Sequence, residues 1–134
     1  MLSDLLTGTA VLNRVEAVNF NWGTASPGPG VNTNRFSARW TGTVMADSTG
    51  AYTFQTVSDQ GVRLWVNGVP LVDNWVAHTS ATDTSAVVNL VAGQRYTVTL
   101  EYFDQTGAAV MRLRWQTPAA AGFVAIPTAS LYPN

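Results

Sequence analysis

Apolar and polar residues alternate with a period of two along most of this chain, and that period predicts strands. In "RFSARWTGTVMA" the residues Phe36, Ala38, Trp40 and Val44 fall on one face, while Ser37, Arg39, Thr41 and Thr43 fall on the other, as a half-buried strand requires. "AYTFQTV" repeats the pattern with Tyr52 and Phe54 inward. The longest run is "QRYTVTLEYFD", where Tyr96, Val98, Leu100 and Tyr102 alternate with Arg95, Thr97, Thr99 and Glu101. "VMRLRWQ" sets Met111, Leu113 and Trp115 against Arg112 and Arg114, so these cations are expected on the wet face of a sheet.

Turn chemistry separates the runs: "DSTG" at Asp47 to Gly50, "DQG" at Asp59 to Gly61, Asn67-Gly68, Ala92-Gly93, and "DQTG" at Asp104 to Gly107. Asn-Gly between "RLWV" and "PLV" is a hairpin signal, because a type I′ turn needs positive φ at both central positions. Strands and turns at spacings near ten residues predict an all-β antiparallel sandwich or barrel, and no helical stretch emerges. "NWGTASPGPGVNTN", about residues 21–34, carries two prolines and three glycines and reads as a long surface loop. Near the C-terminus a closing edge strand is expected around Phe123 to Ile126, followed by a linker at about 128–134. There is no internal repeat.

At 134 residues the chain fits a single domain, able to hide roughly two thirds of its unfolded surface without staples. Cysteine is absent, so hard oxygen ligands or the lone His78 are the available metal donors. The net charge is −1 and charged residues make up 11%, less than half of the roughly 25% usual in soluble domains. All seven cations are Arg and are scattered among eight acids, which gives no concentrated basic face and excludes nucleic-acid binding. No apolar run is long enough for a membrane span, and "MLSDLLTGTA" lacks the basic and apolar regions of a signal peptide. An initiating Met without an export signal points to a domain cut from a longer polypeptide or to an intracellular protein.

Several segments together carry a resemblance: "NFNWGTASPGPGV", "FSARWTGTVMADSTGAYTFQTVSDQGVRLWVNG", "LVDNW" and "EYFDQTGAAVMRLRW". In order and spacing they resemble the PA-14 domain, the β-sandwich named from the anthrax toxin protective antigen and found in bacterial adhesins, glycosidase inserts and fungal flocculins. The likeness runs from about Leu6 to Pro133. It implies a lectin-like, carbohydrate-binding module of a secreted or cell-surface adhesin-type protein, with glycans or polysaccharides as partners. In lectin-type members two consecutive acids joined by a cis peptide hold calcium, which binds vicinal sugar hydroxyls. Here the matching pair is Asp59-Gln60, an acid followed by an amide.

Calcium takes six to eight oxygens and binds more tightly as more of them carry charge. The substitution at Gln60 therefore predicts a weakened calcium site. Its expected ligands are Asp59 and Gln60, with Asp104, Gln105 and Gly107 from a second strand-end tip at the same end of the sandwich. Asp59, Gln60, Gln105 and Trp75 are the expected sugar contacts. Each has a plainer reading: Asp59 as the cap of an Asx turn, and Trp75 as rim packing with its indole N–H satisfied. Trp22 falls on the long loop, while Trp40, Trp65 and Trp115 are expected in the core. His78 and Asp73 read as hydrogen-bonded structural residues. No pair of acids is flagged by spacing and neither GxSxG nor a phosphate-cradling loop occurs, so no enzymatic activity is expected. The alternative to the sugar-binding reading is a calcium-free structural or protein-binding spacer domain, with Gln60 completing a turn in trans.

Overall fold

A computed structural model describes residues 19–23, 36–76, 81–104, 109–120, 122–127 and 130–133, without the side chains of 19–23, 36, 104, 109 and 133. Eleven strands follow one another: β1 (Asn19–Gly23), β2 (Phe36–Met45), β3 (Gly50–Ser58), β4 (Gly61–Val66), β5 (Val69–Asn74) and β6 (Ala81–Thr84). They continue as β7 (Val88–Leu90), β8 (Arg95–Asp104), β9 (Ala109–Gln116), β10 (Val124–Ala125) and β11 (Leu131–Pro133). One sheet has the order β1-β9-β3-β6, with β10 added to β9 and β7 to β3; the other has the order β11-β2-β8-β4-β5. All pairings are antiparallel, and the all-β sandwich expected from the period-two pattern is what forms.

The alternation decides which faces meet. Val44, Val62, Leu64, Val66, Leu100 and Tyr102 of one sheet are buried against Tyr52, Phe54, Met111, Leu113 and Trp115 of the other. Such side chains contribute roughly 1.5–3 kcal/mol each when fully buried. The Trp115 ring is 5.2 Å from Tyr52 and 6.4 Å from Phe54, tilted against both. The Tyr52 hydroxyl keeps its polar end satisfied, lying 3.0 Å from the Asp47 carboxylate and 2.8 Å from the Ser48 carbonyl. It thereby closes the "DSTG" turn that passes the chain from one sheet to the other.

Between β4 and β5 the hairpin is built as expected, with φ of 54° at Asn67 and 76° at Gly68, the positive pair that the right-handed twist of flanking strands demands. Strands β6 and β7 both pair with β3, and Ser85 fills the gap between them. Its N–H donates to the Phe54 carbonyl at 2.8 Å while its Oγ accepts from the Phe54 N–H at 2.9 Å. A side chain thus substitutes for a missing rung of the ladder. At the open edge, Asn74 Nδ2 donates to Asp83 Oδ2 at 3.2 Å, tying β5 of one sheet to β6 of the other.

Three expectations are corrected. Residues 21–23, assigned to the long loop, belong to β1 and pair with β9; the remainder of that loop is outside the described residues. Residues 131–133, assigned to a linker, form β11 against β2, with Leu131 packed on the core. Trp65 is not in the core, because it alternates with the buried Leu64 and Val66 and so projects from the outer face. Glu101 projects outward, as its parity predicts, and is buried there.

Candidate functional site

Asp59 and Gln60 join β3 to β4, and therefore carry the chain from one sheet to the other instead of capping a hairpin. The Asp59 N–H donates to the Val110 carbonyl at 3.1 Å, extending the β3–β9 ladder by one residue. Gln60 then turns at φ 86°, a left-handed value uncommon for a non-glycine residue, and Gly61 opens β4 opposite Phe103 of β8. The described residues hold no cis peptide bond, so Asp59-Gln60 is trans. Gln60 is only 9% exposed, and its main-chain carbonyl accepts from Ser58 Oγ at 3.4 Å.

The register places the backbone of Asp104, one residue past Phe103, at this same end, where β9 also begins. The Asp104 side chain, together with Gln105, Gly107 and His78, falls outside the described residues. Among the described side chains, the corner offers a cation the single carboxylate of Asp59 and an inward amide. Calcium needs six to eight oxygens and several charges, and the other expected ligands, Asp104, Gln105 and Gly107, lie outside the described side chains. No group of three His, Cys, Asp or Glu able to hold a metal occurs among the described residues.

Next to the crossover, the outer face of the five-stranded sheet carries a network that alternation alone did not disclose. Gly61 leaves room for the Phe103 ring: a Cβ at Gly61 would lie 1.9 Å from Phe103 Cε1. Trp75, which follows β5, meets Phe103 edge-on with centroids 4.8 Å apart, and the Arg63 guanidinium lies 3.8 Å from the Trp75 centroid. Arg63 also donates from Nε (3.0 Å) and Nη2 (2.8 Å) to Glu101 Oε1. From the other side, Arg39 Nε donates to Glu101 Oε2 at 2.9 Å.

Register explains the convergence, since Arg39 and Arg63 both stand directly opposite Glu101, on β2 and β4 respectively. The Glu101 side chain is 8% exposed, against 46% for Arg39 and 31% for Arg63. A carboxylate with three charge-assisted N–H donors is held firmly as an acceptor. This arrangement orders a surface. Trp75, expected as a sugar contact, has its ring engaged by Arg63 and Phe103, and Asp73 is exposed opposite Arg63. The triad residues were individually visible as outward positions, and the missing signal was the strand order that makes β8 the neighbour of both β2 and β4.

A family model described as the PA14 domain matches residues 6–129. The chain is 39% identical over 117 residues to "Anti-sigma-I factor RsgI3" of Acetivibrio thermocellus, a match covering 87% of this chain and 18% of that protein. It is also similar to a solved anti-sigma factor domain-containing protein from Clostridium clariflavum, with 30% identity and a TM-score of 0.90 over 99% of this chain and 45% of that one. A PA14 sugar-binding domain from an RTX adhesin superposes with a TM-score of 0.72 at 19% identity, covering 88% of this chain and 77% of that one. At that identity the likeness shows the fold alone. These findings correct the expectation of a calcium-assisted sugar-binding adhesin module. The relatives at 39% and 30% identity are anti-sigma factor proteins, and the likeness to the sugar binder is a likeness of fold.

Proposed function

The chain belongs to the PA14 domain family, and from that premise we propose that it is a non-catalytic, calcium-independent structural or protein-binding module of a larger polypeptide, as in an anti-sigma factor. The chain spans 18% of the curated relative it matches and 45% of the solved one, which supports a module within a multidomain protein. The observation that carries the reading is the construction of the crossover. Where a calcium clasp would need carboxylates turned outward, Gln60 presents an amide packed inward at 9% exposure, and the space beside Gly61 is filled by the Phe103 ring.

Thermal melting of the 134-residue chain in calcium and in chelator tests this directly, because any ligand of the folded state raises stability by RT ln(1 + [L]/Kd). Coincident curves are expected. A melting temperature that climbs with calcium, or retention of the chain on a glycan array, would overturn the proposal.

A further inference from the structure

We infer that the outer face of the six-stranded sheet is a docking surface for an extended acidic polypeptide segment, with Arg112 and Arg114 as the residues that receive its carboxylates; this deepens the protein-binding reading and rests on it. Five arginines have described side chains. Arg39 and Arg63 are committed to Glu101, and Arg95 lies 3.8 Å from the Tyr132 ring centroid. Arg112 and Arg114 make no ion pair and no cation–π contact among the described residues. Both are half-buried on β9, facing away from the buried Met111, Leu113 and Trp115.

Among the described residues, their direct cross-strand partners are neutral. Val57 stands opposite Arg112 and Gln55 opposite Arg114, with Thr53 opposite Gln116, while Thr82 and Thr84 of β6 continue the same two rows. Asp83 belongs to the other parity, opposite the inward Thr56, and is held by Asn74. Asp59, whose N–H pairs with Val110 one rung beyond β3, shares the outward parity of Arg112 but makes no ion pair with it. Among the described residues, two cations without an ion pair therefore stand over neutral cross-strand partners, with Asp59 as the acid on their side of the sheet, and the excess positive charge favours a negatively charged partner.

Geometry selects the kind of anion. Arg112 and Arg114 are two residues apart on one strand, so their side chains repeat at about 6.8 Å. An extended polypeptide has the same repeat between alternate side chains. Acids at every second position of a strand-like segment running along β9 would meet both guanidiniums at once, and each guanidinium can take its carboxylate in a forked, two-bond geometry.

Fluorescence anisotropy of the 134-residue chain with a labelled peptide of alternating Glu and Thr is the test. Its controls are a peptide of the same composition with the Glu residues in one block, and an acidic polysaccharide. The alternating peptide is expected to bind, to lose affinity at high salt, and to bind about tenfold or more weakly to the double variant Arg112→Gln/Arg114→Gln. The variant with both arginines replaced by Lys keeps the charge but not the fork, and is expected to be intermediate. Equal binding to the double Gln variant, equal binding of the blocked peptide, or preference for the polysaccharide overturns the inference. If peptide binding fails while melting stays unmoved by calcium, this face is wrong and the protein-binding reading survives; a calcium-dependent melt removes that reading instead.

Discussion

Substituting Gly61 by Ala puts a methyl group where a ring already is. The added Cβ would lie 1.9, 2.5 and 2.7 Å from Phe103 Cε1, Cδ1 and Cζ, so the ring has to retreat to at least 3.4 Å for an ordinary contact. It has little freedom to do so. Phe103 is 4% exposed and its neighbour Trp75 is pinned under Arg63. Overpacking of this kind costs about 1–3 kcal/mol, and loss of the edge-to-face contact adds about 1 kcal/mol. The expected destabilisation is thus about 2–4 kcal/mol, a drop in melting temperature of roughly 8–16 °C for a domain of this size. Urea unfolding of Gly61→Ala, Phe103→Leu and the double variant measures it. Because the smaller Leu vacates the clash, the double variant should be less destabilised than the two single effects together by at least about 1 kcal/mol. A Gly61→Ala cost below about 0.5 kcal/mol, or strict additivity, would show that the Phe103 ring does not fill the space beside Gly61.

The same chemistry gives three further expectations. Glu101→Gln leaves Arg39 and Arg63 without their anion and should cost about 1–2 kcal/mol in urea unfolding, below the roughly 3–5 kcal/mol of a fully buried pair because both guanidiniums still reach water. Ser85→Ala removes the acceptor of the Phe54 N–H and should cost about 1–3 kcal/mol, with faster amide exchange at Phe54; unchanged protection there would refute the bridging role. Gln60→Glu buries a charge in the crossover, so it should destabilise by about 1–3 kcal/mol at about pH 7 and lose that penalty as the acid protonates at lower pH. Rescue of that variant by calcium at neutral pH would mean that the corner accepts a cation after all.

Whatever depends on neighbours along the chain was legible before any fold was known. Period two marked out the strands and assigned Tyr52, Phe54, Leu100, Leu113 and Trp115 to the core, because a strand's side-chain faces follow from parity. Asn67-Gly68 specified its turn through the φ values it permits. Strand order, by contrast, emerged only on packing. Nothing local says that β3 and β4 lie in different sheets, and so Asp59-Gln60 read as a tip when it is a crossover. The hydrogen bonds that seat β8 between β2 and β4 bring Arg39 and Arg63 onto Glu101 from positions 62 and 38 residues away. The same pairing leaves Arg112 and Arg114 without an ion pair among the described residues, since charge compensation is a property of adjacency in space. The chain supplies the charges, and the sheets determine which of them meet.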